Sequence, residues 1–394
     1  MANMRFTKVV YIRYIPLTFK IYNDFYMKEV ADEGIDVEYW DISALFFRET
    51  ALLEDSSYLV KTRKFNSYKQ LEQTIAEEYQ IKKILFVSIM TFEGRVGRLY
   101  KILKKYNCTL SVFGRNMFPL PRPHDSSLFK RVRRLTIATL KNFISTKVIK
   151  LQKKRGSVKE YDIMFLGGNK GWQGIGNIDF AEVLKAEVIK VNSDDYDNFL
   201  KLKESERIIE GDYILFLDEY LPLHPDAILF SIDNISPDQY YPDLCNYFEK
   251  VEAQFKMPVV IAAHPKATRY KTEDFFNGRK TFFGKTGELA KYCYFVLAHD
   301  STSINYPIAF GKKIHFLTSK NIERYVNEVH RNTECFANYL NCDLQMLDAA
   351  GEINLDAPAS DQSYRKYKYE YQTWQETEAK YSKDIYIEFL KSNP

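Results

Sequence analysis

Cysteine is sparse in this chain. There are five in 394 residues (Cys108, Cys245, Cys293, Cys335 and Cys342), and no two form a C-x-x-C pair. An odd, scattered set excludes a disulfide framework and a structural zinc site, and it fits a reducing, cytoplasmic compartment. Long apolar runs are missing as well. No stretch approaches the ~18 consecutive apolar residues of a membrane span. The N-terminal MANMRFTKVVYIRYIPLTF carries no small-residue cleavage site, and its short apolar run alternates like a strand. A soluble protein, at most peripheral to a membrane, is expected. Internal repeats, low-complexity tracts and the usual nucleic-acid-binding motifs are absent, so no nucleic-acid partner is expected.

Acidic residues vanish from one segment. Between Leu128 and Arg155 there are ten Lys/Arg and no Asp/Glu, although the chain as a whole carries a net charge of only +4. A local basic element on an otherwise mildly acidic chain suggests one anionic partner surface. Within it Ile137, Leu140, Ile144, Val148 and Leu151 recur every three or four residues, the spacing of an amphipathic helix. Two readings fit that helix: a solvated connector with one face on the core, or an element lying on anionic lipid.

What is present is ample core material, 45% hydrophobic residues, enough for two domains in a chain of this length. The rhythm is strand, helix, strand. Lys8–Tyr14, Ile35–Trp40, Lys83–Ile89 and Thr109–Phe113 read as strands, with helical spacing over Phe19–Asp32 and near Val96–Lys105. Residues Asn116–Ser127 interrupt with three prolines, the basic helix follows, and Gly156–Ser157 reads as a hinge. A second series then runs through Tyr161–Leu166, Glu187–Val191, Tyr213–Leu217, Val259–Ala263, Tyr294–Ala298 and Lys313–Leu317. Helices are predicted at Pro237–Phe255 and Gly287–Tyr292. Short apolar strands alternating with helices imply parallel sheets covered on both faces. The expectation is an α/β protein of two Rossmann-like domains facing a central cleft: 1–156 with the basic helix 128–155, then 157–360, then a helical tail 361–394.

Three segments stand where strands of the second series end, the edge at which doubly wound sheets bind ligands. Asp218-Glu219 places two carboxylates directly after a strand, where one could take a proton from an attacking hydroxyl; turn capping by Asp218 is the plainer reading. In His264-Pro265-Lys266 a proline stops the strand, and the ring can donate to a phosphate while Lys266 adds charge. Ser301-Thr302-Ser303 opens a helix over Asn305–Phe310, and hydroxyls with N-terminal amides make an anion site; an ordinary cap would require one hydroxyl, not three. Gly167-Gly168 could let the backbone approach a ligand or could be a plain turn, since the stretch is neither a dinucleotide fingerprint nor a Walker loop. Asp195-Tyr196-Asp197 has the D-x-D spacing of metal-dependent sugar transferases, but a helix start explains it better. His224, His315 and His330 lack metal-ligand spacing, so no metal is expected.

In this order and at these strand ends, Asp218-Glu219, His264-Pro265 and Ser301-Thr302 resemble the acidic pair, His-Pro motif and Ser-Ser/Thr motif of bacterial GT-B glycosyltransferases. The sialyltransferase and polysialyltransferase group, with its relatives in capsule and lipopolysaccharide synthesis, is the nearest match. The resemblance covers roughly residues 160–320. One departure stands out: that family usually follows the acidic pair with Gly, and here Tyr220 follows. The resemblance implies inverting, metal-independent transfer from a nucleotide-activated sugar, with a CMP-linked acidic sugar favoured, to a hydroxyl of a growing surface glycan. It also implies a glycan or lipid-linked acceptor and no cofactor beyond the nucleotide-sugar substrate. Teichoic-acid glycerophosphotransferases, which use CDP-polyols, share a similar His-Pro and hydroxyl pattern, and sugar-nucleotide epimerases share the twin-Rossmann fold.

Overall fold

The computed structural model describes residues 4–47, 55–79, 83–119, 121, 137–225, 234–348 and 361–392, with the backbone alone for 137–143. The basic cluster Lys130, Arg131, Arg133 and Arg134 lies outside the described residues. The chain divides into two compact units, Met1–Met117 with His124–Asp194 and Thr373–Pro394, and Phe118–Pro123 with Asp195–Gln372.

The first unit is built on a seven-stranded sheet in the order β3-β2-β1-β4-β5-β6-β7. Its strands are β1 (Lys8–Arg13), β2 (Asp36–Asp41), β3 (Lys61–Lys64), β4 (Ile84–Ser88), β5 (Thr109–Gly114), β6 (Ile163–Gly167) and β7 (Glu187–Val191). Each neighbouring pair is parallel, as with Val9 opposite Val37 and Leu85. Successive side chains of a strand point to opposite faces. Val10, Ile12, Phe86 and Leu166 accordingly join one apolar cluster, while Val9, Tyr11, Leu85 and Phe165 join the other. Both faces of the central strands are covered, which is why β1, β4 and β6 read as nearly unbroken apolar runs.

The boundary expected at residue 156 is corrected here. β6 pairs with β5, so the helix Ile137–Lys154 is the crossover inside one sheet, and the first unit extends to Asp194. Gly156 is no hinge. Its amide donates to the Lys153 carbonyl at 2.8 Å and Ser157 N–H to that of Gln152 at 3.1 Å, the paired bonds of a Schellman helix ending. At φ +70°, Gly156 occupies the left-handed region that such an ending requires.

The helix Ile137–Lys154 also turns a different face inward than its periodicity suggests. Ile149 is buried, whereas Ile144, Val148 and Leu151 of the expected stripe are 54%, 49% and 51% exposed. Contact with the three-residue turn Gly94–Val96 and with Gly97 selects the inward face, because added Cβ atoms at Gly94 and Gly97 would collide with Ser145 and Ile149.

The second unit carries a six-stranded sheet, β10-β9-β8-β11-β12-β13. These are β8 (Ile214–Leu217), β9 (Val259–Ala263), β10 (Thr281–Phe283), β11 (Phe295–Ala298), β12 (Lys313–Thr318) and β13 (Leu344–Met346). The helix Pro237–Phe255 lays Tyr240, Tyr241, Leu244, Phe248 and Val251 on Ile214, Phe216 and Ile261. Each fully buried apolar side chain contributes about 1.5–3 kcal/mol. The helix Asp194–Leu202 begins at the D-x-D stretch, and Asp195 accepts from the Asn305 side-chain amide at 2.7 Å, which agrees with a helix start.

The tail expected as a separate element over 361–394 is divided between the two units. Asp361–Tyr367 and the following residues to Gln372 belong to the second, where Tyr367 and Gln372 hydrogen-bond Asn305. Ser382–Lys391 belongs to the first, and its Tyr386, Phe389 and Leu390 are buried in that core. Buried aromatic residues hold each short helix to its unit, Tyr367 against Tyr339 and Tyr371 in the second and Tyr386 and Phe389 against Phe165 in the first.

Candidate active site

β8, β9 and β11 end at the same edge of the second sheet. The register sets Leu217 opposite Ala262 on one side and Ala298 on the other. Two residues beyond each of these paired positions come His264, Glu219 and Asp300, so one row crosses the three carboxyl ends with Glu219 in the middle. Ser301 follows Asp300 directly.

Asp218 is 4% exposed and ties two loops together. One carboxylate oxygen accepts the His264 backbone N–H at 3.2 Å, and the other accepts the Tyr270 hydroxyl at 3.1 Å. Burial pushes its carboxyl up to about 6, against the opposing pull of these donors. Glu219 keeps partial exposure. Burial, and after it the charge and hydrogen bond of Asp300, hold its carboxyl well above the ordinary carboxylate range, with Asp218 adding to the effect. The far side of Asp300 accepts from the Asn332 side-chain amide at 2.8 Å.

Local geometry fixes the histidines. Nδ1 of His264 accepts the Lys266 backbone N–H at 3.2 Å, so in the neutral ring the proton sits on Nε2. The His264 ring lies 5.1 Å from that of His224. His299, buried beneath, donates from Nδ1 to the Leu317 carbonyl at 2.6 Å and accepts the Tyr240 hydroxyl on Nε2 at 2.9 Å. A carbonyl can only accept, so this chain has one direction. Burial lowers the His299 pKa and keeps the ring neutral.

Ser301 is buried and its hydroxyl accepts the Ser303 N–H at 3.3 Å, a cap over the single turn Thr302–Ile304. The helix that follows, Asn305–Ala309, is only five residues, so its dipole is small. Thr302 is exposed and Ser303 partly so, and Pro265 and Lys266 are both exposed. Gly167 ends β6 of the first unit and Gly168 follows it; a Cβ on Gly167 would come within 3.0 Å of the Ser193 backbone nitrogen, so close chain packing explains that glycine.

Tyr220 stands at φ +57°, ψ +32°, the left-handed backbone in which glycine is unstrained. Its buried ring sits edge-on to Tyr270 at 5.1 Å and holds it there. Sequence reasoning missed Tyr270 and Asp300 as neighbours of the acidic pair and His224 as a neighbour of His264. A signal existed for His224, which heads a second His-Pro dipeptide, His224-Pro225. Among the described residues no three His, Cys, Asp or Glu gather in a group that could hold a metal ion. The site therefore offers two carboxyl groups held above the ordinary carboxylate range and an imidazole whose Nε2 is left to donate.

No protein-family model and no curated protein matches this sequence. Solved structures of similar shape include MurG of Acinetobacter baumannii, with a TM-score of 0.46 and 7% identity over 98% of this chain and 99% of that one. The wall teichoic acid polymerase TagF gives 0.45 and 12%, covering 98% and 84%. UDP-GlcNAc 2-epimerase from Methanocaldococcus jannaschii gives 0.41 and 11%, covering 91% and 98%. At such scores and identities the likeness says nothing about substrates.

Proposed function

We propose that the chain is a glycosyltransferase that moves a sugar from a nucleotide-activated donor to an acceptor hydroxyl. The row His264, Glu219, Asp300 across adjacent strand ends carries this reading. A carboxyl with raised basicity is suited to accept the hydroxyl proton. The acceptor oxygen bonds to the anomeric carbon, and the bond from that carbon to the phosphate oxygen breaks, its electron pair going to the phosphate. Nε2–H of His264 meets the charge growing there, with Ser301, Thr302, Ser303 and Lys266 as further donors. Asp218 is better suited to hold His264 in place than to act as the base, since its two oxygens are already engaged.

By the sequence resemblance, a CMP-linked acidic sugar is the favoured donor, transfer inverts, and the product is a surface glycan of capsule or lipopolysaccharide type made at the inner face of the membrane. An anionic lipid surface is a suitable further partner. In the helix Ile137–Lys154 the exposed Ile144, Val148 and Leu151 alternate with exposed Lys147, Lys150 and Lys154. A groove of about 560 Å³ beside Ile144 and Val148 is lined also by Arg98 and Lys101. Apolar side chains rimmed by cations suit a headgroup boundary. No helix among the described residues is long and apolar enough to cross a membrane.

A melting-temperature panel with CMP, CDP, UDP, GDP and their sugars tests the donor, since a ligand of the native state raises its melting point. Stabilisation by CMP and a CMP-sugar, with sugar transfer to a glycan, supports the reading. Stabilisation by CDP-glycerol with polyol phosphate transfer points to a phosphotransferase, and interconversion of a free UDP-sugar points to an epimerase.

A further inference from the structure

Asn305 follows the hydroxyl loop Ser301–Ser303 with one residue between, and every polar atom it carries has a partner within the second unit. We propose that Asn305 is a positioning residue for this loop, and that Tyr367 and Gln372 of the C-terminal tail act on the reaction through it. This rests on the reading of Ser301–Ser303 as donors to the departing phosphate.

The bonds of Asn305 run in two directions. Its backbone N–H donates back to the carbonyls of Thr302 and Ser303 and closes the turn that Ser301 caps. Its own carbonyl accepts from Nε2 of Gln372 at 2.9 Å. The side-chain oxygen accepts from the same Nε2 at 3.1 Å and from the Tyr367 hydroxyl at 2.9 Å. An amide oxygen has two lone pairs, so both are taken. The side-chain nitrogen donates to Asp195 at 2.7 Å. Asn305, Tyr367 and Gln372 are all buried. A side chain so occupied is not a ligand contact; its bonds fix where the end of the loop stands.

The tail is shaped for this contact. In an α-helix, residues five apart point about 140° away from one another. Tyr367 ends the helix Asp361–Tyr367, and Lys368–Gln372 continue it as one widened turn of π type. The wider turn brings Gln372 round to the partner that Tyr367 reaches. Such turns are rare and recur at functional sites. Asp195 and Gln372 are also the first and last residues of the unit's long stretch, so one side chain ties both ends to the loop. Donors stabilise a departing phosphate only if they are fixed before its charge develops. Loosening Asn305 lets the hydroxyls and amides of Ser301–Ser303 drift from that oxygen, and a displacement of about 1 Å is enough to slow a reaction markedly.

Hydrogen exchange tests the anchor without a substrate. The amides of Ser303, Ile304 and Asn305 donate within the turn, so their exchange reports how firmly it is held. Gln372→Leu and Tyr367→Phe should speed exchange there on the order of tenfold. Asn305→Asp sets a carboxylate against that of Asp195 and should do the same; adding Asp195→Asn reverses the direction of the bond and should restore protection. Kinetics then tie the anchor to the reaction. With CMP-sialic acid, or the donor that the melting panel selects, Gln372→Leu should lower kcat about tenfold and raise the donor KM while the acceptor KM holds. In a Ser301→Ala background the same change should lower kcat by less than about threefold, because one of the groups it positions is already gone. The swapped pair should recover most of the turnover that Asn305→Asp loses. Exchange unchanged in Gln372→Leu and in Asn305→Asp overturns the proposal. So does an equal loss of kcat with and without the Ser301 hydroxyl, which would mark a general loosening of the unit. If Gln372→Leu fails to fold, Tyr367→Phe and the swapped pair decide. Faster exchange in the loop of a protein that transfers no sugar from any donor would sink the transferase reading and leave the anchor standing.

Discussion

The Asp218 carboxylate accepts the backbone N–H of His264 at 3.2 Å, joining the ends of β8 and β9 through a side chain where the ladder between them stops. The bond makes Asp218 the anchor of the His264 loop. It also places a buried charge there with no cation among its bonded partners, which are the His264 and neighbouring backbone amides and the Tyr270 hydroxyl.

Stability should therefore depend on pH through Asp218. Its carboxyl is raised in the folded protein from the ordinary 3.8 to about 6. Between these values the folded state binds more protons than the unfolded one. The contribution is thus fully present below about pH 4 and lost as pH rises through about 6. Relative to Asp218→Asn, the wild type should lose on the order of 3 kcal/mol between pH 4 and pH 7. Urea titrations of both proteins at the two pH values measure this; a constant difference would show that Asp218 ionises as freely as in the unfolded chain.

Glu219→Gln should separate binding from chemistry. Glutamine keeps the shape and can still hydrogen-bond Asp300, but it cannot take the acceptor's proton. Turnover is expected to fall by a factor of ~10²–10⁴ with nucleotide affinity and melting temperature near those of the wild type. Single-turnover rates beside isothermal titration of the nucleotide check it. Full activity in this variant would place the base elsewhere.

His264→Ala should remove about 2–4 kcal/mol of transition-state stabilisation, and Ser301→Ala somewhat less. The losses should combine less than additively if both side chains serve one phosphate. The kcat/KM values of the two single variants and the double variant decide the matter. Strict additivity would assign them to different groups, with Ser301 left as the cap that its bond to Ser303 already makes it.

Changing Ile144, Val148 and Leu151 together to Ser should weaken binding to anionic vesicles. Stability should change little, because all three are about half exposed. Replacing Lys147, Lys150 and Lys154 with Gln should do the same, and added salt should mimic the second change but not the first. Vesicle flotation of wild type and both variants reads this. Equal flotation by all three proteins would leave the helix as a connector.

Most of the parallel strands were legible because a strand buried on both faces is a short apolar run, as at Val259–Ala263, found at the bounds expected. β3 was not legible. Its sequence KTRK is polar because it is an edge strand, and it is held by backbone bonds to β2 and by ion pairs from Lys61 and Arg63 to Glu38. The helix expected over Phe19–Asp32 is two helices, since Tyr26 adopts φ +55°, a break that no glycine or proline announces.

The sequence by itself determined the α/β class, the strand ends that carry Asp218, Glu219, His264 and Ser301, and the turn-and-helix pattern around them, because periodicity and local turn chemistry act within a few residues. Only the tertiary structure decided that β6 and β7 complete the first sheet, that the tail is shared between units, and that Asp300 and His224 stand beside the acidic pair and the histidine. Strand order and cross-strand register are set by which apolar faces bury each other, and that choice is made between residues far apart in the chain. The same register separates the roles of the two adjacent carboxylates, turning Asp218 toward the His264 backbone and Glu219 toward Asp300.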